Sequence, residues 1–208
     1  LARRASGQGW WHDYSDVLPS WFEAYVGLEE AATQIRSYDN QIVPSLLQTE
    51  DYARAVISLE HPDATAEEVA RRVSLRLARQ RLLDGRSTPQ VWAVVDEAVL
   101  RRAPGPPEIM RGQLRHLLEA AGRPGVTLQL LPFQAGGHAA TAGAFSILRF
   151  AEPDLPDVVF LEQLTSSLYL DKRESLDHYL AVLDRLCIQA WTAQDTEREL
   201  RAILAAAS

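Results

Sequence analysis

The sequence predicts an α+β fold: a small mixed β-sheet of about four or five strands, flanked by N- and C-terminal helices. Three observations lead there. Apolar residues recur at helical spacing early in the chain and again near its end, while short β-branched and aromatic runs cluster between them. Strands grouped between helical runs argue for α+β over an alternating, doubly wound sheet. The strand–helix–strand pattern over 91–131 can still form one parallel crossover.

Each element has a local reason. Residues 1–17 read as a linker or arm, because Gly7, Gly9 and the polar run break any periodicity. Trp10, Trp11 and Tyr14 give that arm much apolar area, for docking on the chain's own body or on a partner chain. Residues 18–208 read as one domain, helical over 18–85 and sheet-containing over 86–208. Ser20 and Glu23 have capping-box spacing, which opens a helix to about residue 32. Residues 33–43 read as an extended stretch, since Pro44 restricts the residue before it. Thr49 can cap a helix over 50–59. Thr65 and Glu68 form a second capping box, and that helix runs to about 83 before Gly85.

The run Val91-Trp-Ala-Val-Val95 predicts a buried strand. The breaker cluster over 103–107 introduces a helix over 108–121. Strands follow over 126–131, 144–150, 157–161 and 167–170. Leu176, Tyr179, Leu183, Leu186 and Ala190 then recur at helical spacing, and a last helix covers about 195–206.

Composition narrows the function. The chain has 208 residues, of which 47% are hydrophobic and 24% charged, enough for a real core. No apolar run approaches the ~20 residues of a membrane-spanning helix, and the opening residues lack the apolar stretch of a signal peptide. The single cysteine, Cys187, excludes an intrachain disulfide and fits a reducing cytoplasm. The formal net charge of −7 disfavours nucleic-acid binding, which rests on neutralising phosphates. The five histidines stand in no metal-ligand spacing, so neither a metal nor a cofactor is expected.

Candidate site residues follow apolar strands. Glu97 and Arg102 come after the first buried strand, and Glu162 after the run ending at Leu161. His138 sits in the small-residue loop 136–143, which can leave room for a ligand; it can equally be a plain connection between strands. Together these residues read as a binding pocket or as a structural charge cluster, and an acid–base set is the enzymatic alternative. The arginines at 72, 76 and 79 share a helix side and read as a solvated face neutralised by nearby glutamates. Cys187 lies on an apolar stripe and reads as a packed structural thiol.

Several segments jointly carry a family resemblance: Val43-Pro-Ser-Leu-Leu-Gln-Thr-Glu-Asp-Tyr-Ala-Arg54, Asp96-Glu-Ala-Val-Leu-Arg-Arg102, Met110-Arg-Gly-Gln-Leu-Arg-His-Leu-Leu118, Val126-Thr-Leu-Gln-Leu-Leu-Pro-Phe133, and Val158-Val-Phe-Leu-Glu162 with Leu168-Tyr-Leu170. The chain resembles the C-terminal domain of unknown function of actinobacterial XRE-type helix-turn-helix regulators, of the WhiJ-like and Scr-type antitoxin-like kinds. The resemblance implies a regulatory domain without catalytic residues, which binds a small protein from a neighbouring gene or a small-molecule effector. It implies that DNA is contacted only through an N-terminal module that this sequence lacks. A homodimer is compatible with it. The ligand or partner contact is expected at Glu97, Arg102, His138, Glu162 and Tyr169.

Overall fold

The protein is described by a computed structural model over residues 9–85, 88–152 and 154–206. The first eight residues of the expected arm lie outside this range. Among these residues one mixed sheet of six strands organises the fold: β1 (Ala32–Asp39), β2 (Gln90–Asp96), β3 (Val126–Leu131), β4 (Phe145–Phe150), β5 (Val158–Glu162) and β6 (Ser167–Leu170). Their order across the sheet is β3-β2-β1-β4-β5-β6. β1, β2 and β3 run parallel, and β4, β5 and β6 follow antiparallel. The expected crossover over 91–131 is therefore present, as the parallel pair β2 and β3.

The extended stretch after residue 32 is the central strand β1. Its burial alternates imperfectly because both faces of a central strand are covered. Ile35, Ser37 and Asp39 face one side, and Arg36 and Tyr38 the other.

Among the described residues there are seven α-helices: α1 (Ser20–Ala31), α2 (Glu50–Glu60), α3 (Ala66–Gln80), α4 (Glu97–Arg101), α5 (Pro107–Ala121), α6 (Arg173–Gln189) and α7 (Ala193–Ala206). The larger core joins one sheet face to α1, α2, α5 and α7 through Tyr25, Val56, Leu114, Leu117 and Leu200. The opposite face is covered by α6 and the loop before β4, through Tyr38, Val94, Ala140, Leu183 and Leu186. At the β3 edge, Thr196 Oγ1 accepts from the Leu130 amide, and the Leu130 carbonyl accepts from the Trp191 amide. That edge is thereby closed to further strand pairing. Among the described residues no helix is long and apolar enough to cross a membrane.

Several local expectations meet their outcome here. Thr49 accepts from the Tyr52 amide, and the Thr65–Glu68 capping box is complete. Ser20 does not cap α1. The cap is Pro19, whose carbonyl accepts from the Phe22 and Glu23 amides, so Ser20 becomes the first helical residue. The aromatic arm docks on its own chain: residues 10–14 form a 3-10 turn, and Trp11 is buried with Leu18, Val26 and Leu75. The 72–76–79 stripe is not a solvated face. Arg79 is only 5% exposed and Arg76 is largely covered, because α3 turns that side toward α1 and the loop before α2.

Candidate functional site

Two rows of side chains on one sheet face form the floor of a cleft. Ser37, Ser146, Phe160 and Tyr169 stand side by side across β1, β4, β5 and β6. Two residues further toward the strand ends come Asp39 on β1, Ala144 just before β4, and Glu162 on β5 opposite Ser167. The small side chain of Ala144 leaves a gap between the two carboxylates. The cleft encloses about 110 Å³.

Helix α1 supplies one wall. Phe22, Tyr25 and Glu29 recur at three- and four-residue spacing, so they share its inward face. Tyr25 lies against Phe160 at 4.1 Å between ring centroids, and Phe22 lies 5.1 Å from Tyr25. Arg79 reaches in from α3. Its Nε and Nη2 each donate to one oxygen of Glu29 at 2.8 Å. The guanidinium also lies 5.1 Å from the Phe22 ring and 5.4 Å from the Tyr25 ring. Burial alone would lower the Arg79 pKa, but the Glu29 charge and hydrogen bonds outweigh it and raise the value.

The second wall is the turn Pro44–Leu46, and buried amides fix it. Gln48 donates to the Val43 carbonyl at 2.6 Å and accepts from Arg76 at 3.0 Å. Gln80 donates to the carbonyls of Ser45 and Gln48. Gln113 of α5, fully buried, accepts from the Thr49 amide and donates to the Leu47 carbonyl. Fully satisfied polar networks of this kind hold one backbone geometry.

Asp39 and Glu162 stand in no ion pair among the described residues. Asp39 accepts a hydrogen bond of 2.7 Å from Ser37 Oγ. Burial pushes its pKa up to about 7 against that hydrogen bond, and the negative charge of Glu162 adds to the rise. Glu162 keeps one side open to water, yet the cleft walls remove enough solvent to raise its pKa too, while Arg79 nearby opposes the rise.

The five residues expected at one site do not come together. Glu162 lines the cleft, and Tyr169 stands beside it: its ring lies 5.2 Å from Phe160 and its hydroxyl donates to the Trp21 carbonyl at 2.8 Å. His138 lies on the opposite face of the sheet. Its Nδ1 accepts from the Ala140 amide at 3.3 Å, which leaves Nε2–H to donate to Tyr38 Oη at 3.2 Å. Tyr38 in turn donates to Asp96 at 3.3 Å. The loop 136–143 thus meets the end of β2 through Tyr38, on the face that Glu162 does not share. Glu97 holds backbone in place, accepting from the Phe133 amide at 2.9 Å and from Arg101. Arg102 donates to Gln41 at 3.1 Å.

Sequence reasoning passed over Glu29 and Asp39, and read Arg79 as part of a solvated face. Asp39 ends a strand of mixed polarity, so it lacked the apolar run that drew attention to the residues at or just after the ends of β2 and β5. Arg79 had a weak signal, its place one turn after Leu75 on α3 and next to Ala78, both apolar and buried. Among the described residues, no group of three or more His, Cys, Asp or Glu is placed to hold a metal ion.

The fold and the cleft define a class: an α+β domain with a preformed, aromatic-walled, acidic cleft where its helical part meets its sheet. The chain belongs to the family described as Domain of unknown function (DUF5753), which matches residues 22–202. No curated protein and no solved structure matches the chain.

Proposed function

We propose that this chain is a regulatory domain that binds a small-molecule effector in the cleft between α1 and the sheet, and that passes its occupancy to an N-terminal DNA-binding module of the XRE type. In this reading it binds and does not catalyse. A small protein from a neighbouring gene, as in antitoxin-like regulators, is the other partner the family resemblance suggests.

One observation carries the reading. The cleft and the N-terminal arm share α1. Phe22, Tyr25 and Glu29 line the cleft, while Val26 of the same helix packs with Trp11 of the arm and with Leu18 just after it. A ligand that shifts α1 must therefore alter how the arm is seated. Regulation needs that kind of coupling between an effector site and a chain terminus, carried by one rigid element with differential contacts.

The test is a thermal-shift screen of the purified chain against a metabolite library and against the neighbouring small protein, with Ala144→Phe as the control. A stabilising ligand that binds the parent chain and not Ala144→Phe supports the reading. No stabilising partner, or equal binding to the variant, overturns it.

A further inference from the structure

We propose that the cleft recognises a small organic cation, an amine or guanidinium on a compact apolar body, with Asp39 and Glu162 as its counter-charges. This deepens the effector-binding reading and rests on it.

The argument starts from charge balance. The cleft lining contains one cationic side chain, Arg79, and three carboxylates, Glu29, Asp39 and Glu162. Arg79 and Glu29 neutralise each other through two hydrogen bonds. The other arginine facing this region, Arg76, is engaged by Gln48 and Glu60. Two carboxylates are left, at the ends of β1 and β5 on either side of Ala144, with their nearest cations already paired. An anionic ligand would meet both of them. A neutral one would leave both without a counter-charge, at a cost that falls on the half-buried Asp39 more than on the exposed Glu162.

The rings supply a second, independent reason. Phe22, Tyr25 and Phe160 form a continuous aromatic wall. A guanidinium, that of Arg79, already lies over two of these rings. Aromatic faces attract cations, more so where water is excluded. An exogenous cation would meet the same wall from the cleft side, with the carboxylates at the strand ends. The volume of about 110 Å³ limits the ligand to roughly the size of one substituted ring or a short alkyl chain.

Cation binding also couples to protons. Asp39 titrates near neutrality among Glu162, Glu29 and Arg79, so a bound cation favours its ionised form and displaces a proton.

Benzylamine, benzyl alcohol and benzoate make a charge series of one shape. Calorimetric titration of the purified chain is expected to show saturable benzylamine binding, about tenfold tighter at pH 8 than at pH 6, with proton release near pH 7. Asp39→Asn and Glu162→Gln should each weaken it about tenfold or more while keeping a cooperative melting transition. Equal binding of benzyl alcohol or benzoate overturns the cation class, as does stabilisation by magnesium chloride that Asp39→Asn abolishes. If none of the three binds but the metabolite screen yields an Ala144→Phe-sensitive ligand, the cation class falls and the effector reading stands. If neither occurs, both fall.

Discussion

Arg79 of α3 clasps Glu29 of α1 through two hydrogen bonds of 2.8 Å, and the two residues are only 5% and 1% exposed. The pair ties α3 to α1, the helix that walls the cleft. Removing either partner alone leaves a charge without water or counter-ion, which costs about 3–5 kcal/mol. Arg79→Met and Glu29→Gln should therefore each lower the urea midpoint strongly. The double change Arg79→Met with Glu29→Met should recover much of the loss. If the single changes cost under about 1 kcal/mol, the pair is not desolvated as described.

The pH dependence of stability should carry the mark of Asp39. Its folded pKa of about 7 lies above the roughly 3.9 expected unfolded. Between those values the folded state holds more protons than the unfolded state, so this group's contribution falls as pH rises from about 4 to 7 and is level above. Asp39→Asn removes that slope. The variant should gain on the order of 1–3 kcal/mol relative to the parent between pH 4.5 and pH 8. Urea melts at both values give the difference directly, and the other carboxylates cancel. An unchanged difference would mean that Asp39 titrates normally.

Cys187 sits half-buried on α6 beside the second core, and burial raises its thiol pKa. The thiol should react with alkylating reagents more slowly in the folded chain than in urea at neutral pH. Cys187→Ser should cost about 1 kcal/mol, at the low end for a hydroxyl placed in an apolar setting, and leave ligand binding intact. Loss of binding with an unchanged melting temperature would give the thiol a functional role.

This chain alone should not bind duplex DNA specifically. Its formal net charge is −7, and the helical elements of the described residues are committed to packing within the domain, on the sheet or, for α3, on α2 and the N-terminal arm. Gel-shift or anisotropy titrations at moderate salt are expected to show no saturable complex. A sequence-specific one would move the DNA contact into this domain.

Much of the fold was legible along the chain. The strand–helix–strand unit, the capping box at Thr65 and the helices over 108–121 and 195–206 are specified by local patterns, in which capping residues, breakers and periodicity coincide. β1 was harder. A central strand covered on both faces has no clean alternation, so Ala32–Asp39 reads as merely extended until β2 and β4 pair with it.

The site was legible only in part. Glu162 and Tyr169 were visible as residues on strand ends, and they do border the cleft. Their intended companions were not within reach of them, because a one-residue step along a strand switches the face of the sheet. Asp39 faces the cleft and Tyr38 faces His138, one position apart.

By itself the sequence determined the α+β class, the main helices, the acidic balance and the family to which the segments at 43–54 and 126–133 belong. Those follow from composition and from interactions within a few residues. Only the tertiary structure decided that Glu29 and Arg79, 50 positions apart, neutralise each other, and that Asp39 and Glu162 stand in no ion pair among the described residues. Charge compensation is a property of neighbours in space. Where the chain places those neighbours far apart, no local pattern records it.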